Sequence, residues 1–320
     1  MQIGILKSSL SVCTERRVTE SALPYYFRAM TYSLENDQCR VGVQAHGAEL
    51  SSFVRKDLDN LEYMWQADPA VWARHAPVLF PIVGRLPQDT YQYNGQTYKL
   101  PQHGFARDQE FTLAQQTADT LTFELRANEK SRAVYPFDFV LRISYRLQDT
   151  TLTVHWEVQN PASEELLFSI GAHPAFRCPL LPGEQFEDYY FSFDSPETFE
   201  RHLLEGGLLH GQTEPVLTEA TELPLTYELF AQDALVLKKF DFSQLALRSH
   251  RSERAVSVRF DGFPYLGLWT KGPGAAFVCI EPWQGIASSV GDSSELADKE
   301  GILTLAPGQS FAAEYTITVQ

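Results

Sequence analysis

A chain of 320 residues is long enough to bury a substantial core, as one large β domain or as two modest ones. It carries 41 acidic residues against 26 basic ones, a formal charge of -15, with no block of five or six like charges. A net negative field without a basic stripe disfavours nucleic acid and anionic membrane as partners.

The first stretch, MQIGILKSSLSVCTERR, carries only Lys7 near its start and lacks the charged-then-apolar order of an export signal. Cys13, Cys39, Cys178 and Cys279 are widely spaced and form no CxxC pair. Reduced thiols and a cytoplasmic location are therefore expected. The longest apolar run, Ala275 to Ile280, falls far below the roughly 18 residues of a membrane span.

Helix signals are weak: Pro69 to Arg74 behind an Asp68 cap, and Ser293 to Lys299 behind Asp292. Strand signals dominate. Leu121, Phe123 and Leu125 alternate with polar residues. Phe139, Leu141, Ile143, Tyr145 and Leu147 do the same, as do Leu152, Val154, Trp156 and Val158 after a break at Gln148 to Thr150. This spacing predicts an antiparallel hairpin with one apolar face. Ser195 to Pro224, with Gly206, Gly207 and Gly211, is poorest in strand pattern and reads as an excursion between strands. Alternation resumes at Val256, Val258 and Phe260 and in Phe311 to Val319. A sheet with one wet face needs another layer on the other, so an all-β antiparallel sandwich or barrel is expected. The absence of a strand, long helix, strand rhythm, of GxGxxG and of a P-loop disfavours nucleotide-binding α/β folds.

Polar groups stand among bulky or tightly turning residues in FPIVGR (80–85), HGFARD (103–108), GAHPAF (171–176) and CIEPWQG (279–285). His173 follows an apolar run and precedes Pro174, which biases it towards extended backbone. It is either an acid or base working near neutral pH or a structural histidine donating to a carbonyl. Glu281 emerges from an apolar strand before Pro282, so it either has a dedicated partner, such as Arg85 or Arg107, or it is used in chemistry. Trp72, Phe105, Phe176, Trp269 and Trp283 are candidates for an apolar ligand platform or for plain core. Arg85, His103, Asp233 and Gln284 are candidate polar groups at a rim. His103 and His173 with a carboxylate could form a metal triad, but there is neither HxH nor HExxH, so no metal is expected.

In order and combination, GAELSS (47–52), EYMWQADPAVW (62–72), APVLFPIVGRL (76–86), LPQHGFARDQEF (100–111), SIGAHPAF (169–176) and CIEPWQG (279–285) resemble the aldose 1-epimerase (galactose mutarotase) family, most closely its LacX-like branch. The resemblance implies a large twisted antiparallel β-sandwich over residues 32–320, with residues 1–31 as an extension, and it implies acid/base interconversion of the anomers of a free hexose without a cofactor. Glu281 resembles the family's general base at the anomeric hydroxyl, and His173 its general acid at the ring oxygen. His103 resembles the histidine that polarises the ring-oxygen side. Arg85 and Asp233 resemble residues that hold sugar hydroxyls, and Gln284, Trp283 and Phe176 are further substrate contacts expected from their motifs. One departure is IASSVGDSSEL after the last motif, where LacX-like proteins often carry an acidic or basic residue soon after the glycine and this chain has Ala287, Ser288 and Ser289, which implies a changed rim contact. A monomer or homodimer is expected. Competing readings are a silent carbohydrate-binding protein, a glycoside hydrolase using Glu281 and Asp233, and a mutarotase of phosphorylated hexoses using Arg74, Arg85 and Arg107.

Overall fold

The fold is described from a computed structural model covering residues 30–320. The expected extension lies outside the described residues except for Met30 and Thr31, and Thr31 already opens the first strand, Thr31–Glu35. The hairpin expected around residue 149 forms from Val140–Gln148 and Thr151–Gln159, with Leu147 opposite Leu152. Thr120–Arg126 pairs on one side of it and the last strand, Ser310–Val319, on the other. Leu141, Ile143, Val154 and Trp156 are buried, while Arg142, of opposite parity, bridges Glu124 and Glu157 on the wet face. Each large apolar side chain so buried contributes roughly 1.5–3 kcal/mol.

These strands belong to a 15-stranded sheet whose ladders are antiparallel. A four-stranded sheet from Thr31–Glu35 to Leu61–Glu62 supplies the second layer. Leu34, Val41, Leu50 and Phe53 of the small sheet share one core with Phe123, Ile143 and Trp156 of the large one. Tyr145 crosses between the layers, donating its hydroxyl to the Ala48 carbonyl at 2.6 Å. The fold is an all-β sandwich.

Three local expectations need correction. Pro69 to Arg74 forms turns rather than a helix, although Asp68 does receive the Ala70 amide at 2.9 Å. Within Ser293 to Lys299 only Leu296–Asp298 winds, as a 3₁₀ turn. The single α-helix among the described residues is Glu129–Val134, where the Asn128 side chain accepts the Lys130 and Ser131 amides and Ser131 returns a bond to the Asn128 amide. Asn-Glu-Lys-Ser departs from the usual Ser/Thr-x-x-Glu/Gln signature of a capping box, so the sequence pattern does not announce it. Ser195 to Pro224 is not an excursion. It lies within Tyr189–Glu205 and Leu208–Pro224, paired strands of 17 residues each with four register shifts. Much of this ribbon is solvated on both faces, so it needs no apolar alternation.

The strand Phe277–Gln284 positions the functional site. Both faces are covered, which is why it reads as one apolar run. Val278 and Ile280 enter the main core. Phe277, Cys279 and Trp283 point the other way, into two smaller clusters. Glu281 shares their parity. Cys39, Cys178 and Cys279 are free and buried, and Cys13 lies outside the described residues. Among those residues, no helix is long and apolar enough to cross a membrane.

Candidate active site

His173 faces Glu281 because of strand register. Ile170–Ala172 and Ala175–Arg177 both pair antiparallel with Phe277–Gln284, Gly171 opposite Trp283 and Ala175 opposite Cys279. The residue midway between, His173, is therefore opposite Glu281. On the other edge of the same strand Gly267 pairs with Glu281, and Val236 pairs with Gly267. A row of four positions thus crosses the sheet: Val236, Gly267, Glu281, His173. The His173 Nε2 to Glu281 Oε2 distance is 3.3 Å, and both side chains are buried.

Missing side chains clear the floor beside this pair. A Cβ on Gly267 would come 2.4 Å from Trp283 Cζ2, and one on Gly171 would come 2.6 Å from its Cδ1. The Trp283 indole therefore occupies space that two glycines vacate, with its N–H donated to the Ala172 carbonyl at 3.1 Å. An aromatic face fixed in this way suits the C–H face of a pyranose.

Rings rather than hydrogen bonds orient His173. Trp72 stacks on it with centroids 5.0 Å apart, Trp269 meets it edge-on at 5.5 Å, and His103 meets it edge-on at 5.8 Å. Its Nδ1 is buried without a hydrogen-bond partner among the described residues. Burial, with the Arg107 charge adding to it, pushes the imidazole down to about 3. Glu281 moves the other way: burial and then the Asp233 charge push its carboxyl well above the usual carboxylate range, with Trp283 opposing. Two neighbouring groups that each resist charge share one proton over a wide pH range.

His103 adopts φ +68 and is followed by Gly104 at φ +68. Left-handed backbone at a histidine is uncommon and marks a constrained position. The turn lets the His103 amide donate to the Gly84 carbonyl at 2.8 Å while its Nδ1 accepts the Gly84 amide at 3.2 Å. A neutral His103 consequently carries its proton on Nε2. Burial, then the neighbouring His173, holds its pKa well below the ordinary value.

Glu281, His173, His103, Trp72, Trp269 and Trp283 surround a cavity of about 340 Å³, large enough for a monosaccharide. Asp233, exposed and at φ +80, sits on its rim. Gln102, Arg107 and Lys271 also line it. Sequence reasoning considered Arg107 only as an ion-pair or phosphate partner and did not single out Gln102 or Lys271. Their signal was proximity to the motifs, Gln102 preceding His103 and Lys271 following Trp269 by two residues.

Comparison with known proteins decides the family. The family pattern described as aldose 1-epimerase matches residues 30–318. The chain belongs to the aldose 1-epimerase family. It is 36% identical over 299 residues to the chromosomal protein LacX of Lactococcus lactis subsp. lactis, spanning 91% of this chain and 99% of LacX. The galactose mutarotase related enzyme of Lactobacillus acidophilus superposes with a TM-score of 0.87 at 38% identity, covering 91% of this chain and 97% of its own. A galactose mutarotase-like protein from Lactobacillus casei ATCC 334 gives 0.84 at 31% identity, covering 91% and 100%.

Three residues that the resemblance to other aldose 1-epimerases brings to the sugar do not reach the cavity. Phe176 pairs with Val278 and shares its parity, so it is fully buried in the main core. Gln284 also has the wrong parity and donates to the Gly262 carbonyl at 3.0 Å. Arg85 is one residue beyond the cavity wall at Gly84, and its guanidinium is directed to Asp89 and Gly206. Glu281 pairs with neither Arg85 nor Arg107; the titratable group beside it is the His173 imidazole, at 3.3 Å. The donor atoms of His173, Cys279 and Glu281 lie within 4.8 Å of one another, a nitrogen, sulfur and oxygen set that zinc accepts. The sequence-level triad named His103 instead of Cys279. An ion held there would occupy the imidazole and carboxylate lone pairs that face one another at 3.3 Å in this aldose 1-epimerase.

Proposed function

We propose that Glu281 and His173 open and reclose the ring of an aldose lying over Trp283, as the proton-transfer pair of the anomer interconversion this isomerase family performs on free hexoses. The observation that carries the assignment is the 3.3 Å separation of the two groups at the floor of one cavity. The anomeric oxygen O1 and the ring oxygen O5 are both bonded to C1, so two adjacent side chains can reach both.

The Glu281 carboxylate takes the proton of the O1 hydroxyl. As C1=O1 forms, the C1–O5 bond breaks and its electron pair goes to O5, which receives a proton from the His173 imidazolium. Rotation about C1–C2 presents the other face of the aldehyde, and closure runs the transfers backwards. Protons and electrons balance without a co-reactant. The empty site favours the proton on the carboxyl, since burial penalises both charged forms. A sugar hydroxyl donating to the carboxylate, and a ring oxygen accepting from the imidazolium, stabilise the charged arrangement and move the proton to His173. His103, through Nε2–H, and Asp233 at the rim are the supporting polar contacts. Each of the two transfers is expected to contribute about 10² to 10⁴ in rate.

A second reading, anomerisation of a hexose phosphate, is favoured by the two cationic side chains on the wall, Arg107 and Lys271. Polarimetry on freshly dissolved α-glucose, α-galactose and α-glucose 6-phosphate separates the readings. Faster mutarotation of a free sugar supports the proposal. An unchanged spontaneous rate marks a silent binder, and release of reducing sugar from a glycoside marks a hydrolase.

A further inference from the structure

Residues 65 to 77 carry the chain from Leu61–Glu62 of the small sheet to Val78–Leu79 of the large one without forming a strand or a helix. Trp72 sits in this segment and stacks on His173. It also stacks on Phe277, with centroids 5.4 Å apart. Because the His173 Nδ1 has no hydrogen-bond partner among the described residues, the place where Trp72 stands decides how the imidazole is turned towards Glu281. Irregular backbone is held only by the bonds that anchor it, and without them it moves more than the strands it joins.

The anchors come from three directions. The Trp65 indole N–H donates to the Trp72 carbonyl at 2.9 Å, which closes residues 65 to 72 into a loop. Ala175, two residues past His173, accepts the Trp65 amide at 3.0 Å and donates its own amide to the His75 carbonyl at 2.9 Å. The third anchor is Glu49, at the start of the small-sheet strand Glu49–Arg55. One oxygen, Oε1, accepts the amides of His75 and of Ala76, the latter at 3.0 Å, and lies 3.5 Å from His75 Nδ1.

Glu49 is 5% exposed. A buried carboxylate is costly unless hydrogen bonds compensate it, and the donors here are backbone amides of a segment that has no strand ladder of its own. An apolar residue at position 49 would leave both amides without this acceptor. Glu49 is not among the residues that line the cavity.

We infer that Glu49 is a positioning residue for the isomerisation: by holding the His75 and Ala76 amides it fixes the segment that sets Trp72 against His173. The role rests on His173 being the acid of the reaction, and a readout that needs no turnover keeps the two separable. Glu49→Gln keeps the acceptor and drops the charge, Glu49→Ala removes both, and Glu49→Asp keeps the charge one methylene short of the amides. Each is made alone and in a Trp72→Ala background. All are compared with wild type for kcat and KM in glucose and galactose mutarotation, for melting temperature, and for the His173 ring resonances in isotope-edited NMR, assigned with His173→Asn. In wild type the ring current of the stacked Trp72 shifts those resonances upfield.

Glu49→Gln is expected to keep kcat within about twofold and the resonances in place. Glu49→Ala is expected to lose about 10-fold in kcat, inside the roughly 10²-fold that about 1 Å of misplacement can cost. Its His173 resonances should move towards those of Trp72→Ala. In the Trp72→Ala background Glu49→Ala should cost less than about twofold more, because both changes act at one contact. Should Glu49→Ala fold poorly, Glu49→Asp decides, with a smaller change in the same direction. Wild-type resonances and kcat in the Ala and Asp variants overturn the inference. So does a loss as large in the Trp72→Ala background as in wild type, the pattern of general destabilisation, and so does a Gln variant as impaired as the Ala variant. A wild type that isomerises neither sugar would sink the acid/base reading alone, because the resonances still decide the positioning role.

Discussion

His173, in the break between the strands Ile170–Ala172 and Ala175–Arg177, lies across from Glu281, Nε2 to Oε2 at 3.3 Å, because the Gly171–Trp283 and Ala175–Cys279 pairs leave no other register between them. A slip of one residue would place Ile280 or Pro282 there, with side chains on the opposite face. The juxtaposition of the two side chains is therefore as secure as the sheet itself.

Replacing His173 with Asn keeps a polar side chain of similar size and removes the titrating group. Steady-state polarimetry should show kcat reduced about 10² to 10⁴-fold, with the circular dichroism spectrum unchanged. Because the two groups act as one unit, His173→Asn combined with Glu281→Gln should be little slower than the worse single variant. Additive losses would contradict a shared role.

The pH profile follows from opposed shifts. The active pair holds one proton. Lowering the pH adds a second proton where His173 titrates, at about 3, far below the ordinary histidine value of 6.5. Raising the pH removes the first where Glu281 titrates, well above 4.5. kcat/KM, which reports the free enzyme, should hold its value from pH 7 down to about pH 5. An acid limb with its midpoint near 6.5 would contradict the shared-proton description.

Much of the cavity lining was legible in the sequence, and two of the misplaced residues share a cause. Glu281, His173, His103, Trp283 and Asp233 stand at the cavity, as do Trp72 and Trp269. Phe176 and Gln284 lie close in sequence to functional residues, but side chains alternate along a strand, and adjacency within a motif says nothing about which face a neighbour takes. Arg85 failed differently, since its orientation depends on Asp89 and on a ribbon that shows no strand periodicity. The sandwich was readable because the strands around residue 149 have one wet face. Helix Glu129–Val134 was overlooked because six residues are too few to show a period.

Gly267 has a role that substitution can expose. Gly267→Ala would set a methyl 2.4 Å from the Trp283 ring, so the indole must tilt or the strands must part. Urea unfolding should show a loss of about 1–3 kcal/mol, the usual cost of overpacking a filled site, together with a raised KM. Wild-type stability and KM would show that Trp283 does not form the floor described.

Lys299 supplies a stability test independent of catalysis. It is 4% exposed, and its ammonium donates to the carbonyls of Ile286 and Glu300. Burial lowers its pKa to about 8 from 10.5. Below pH 8 both folded and unfolded chains keep the proton, and the burial penalty is fully present. Between about 8 and 10.5 the unfolded chain binds the proton that the fold has released, so stability rises with pH. The unfolding free energy of wild type relative to Lys299→Met should therefore climb by up to about 3 kcal/mol across that window. A difference that does not change with pH would rule out a depressed Lys299.

The most direct test of the central claim is saturation-transfer NMR of exchange between the α and β anomers of free glucose and galactose, with wild type and Glu281→Gln. Wild type should accelerate exchange for at least one of the two sugars, and the folded variant should fall back close to the spontaneous rate. Wild-type exchange in a folded Glu281→Gln protein would contradict the account.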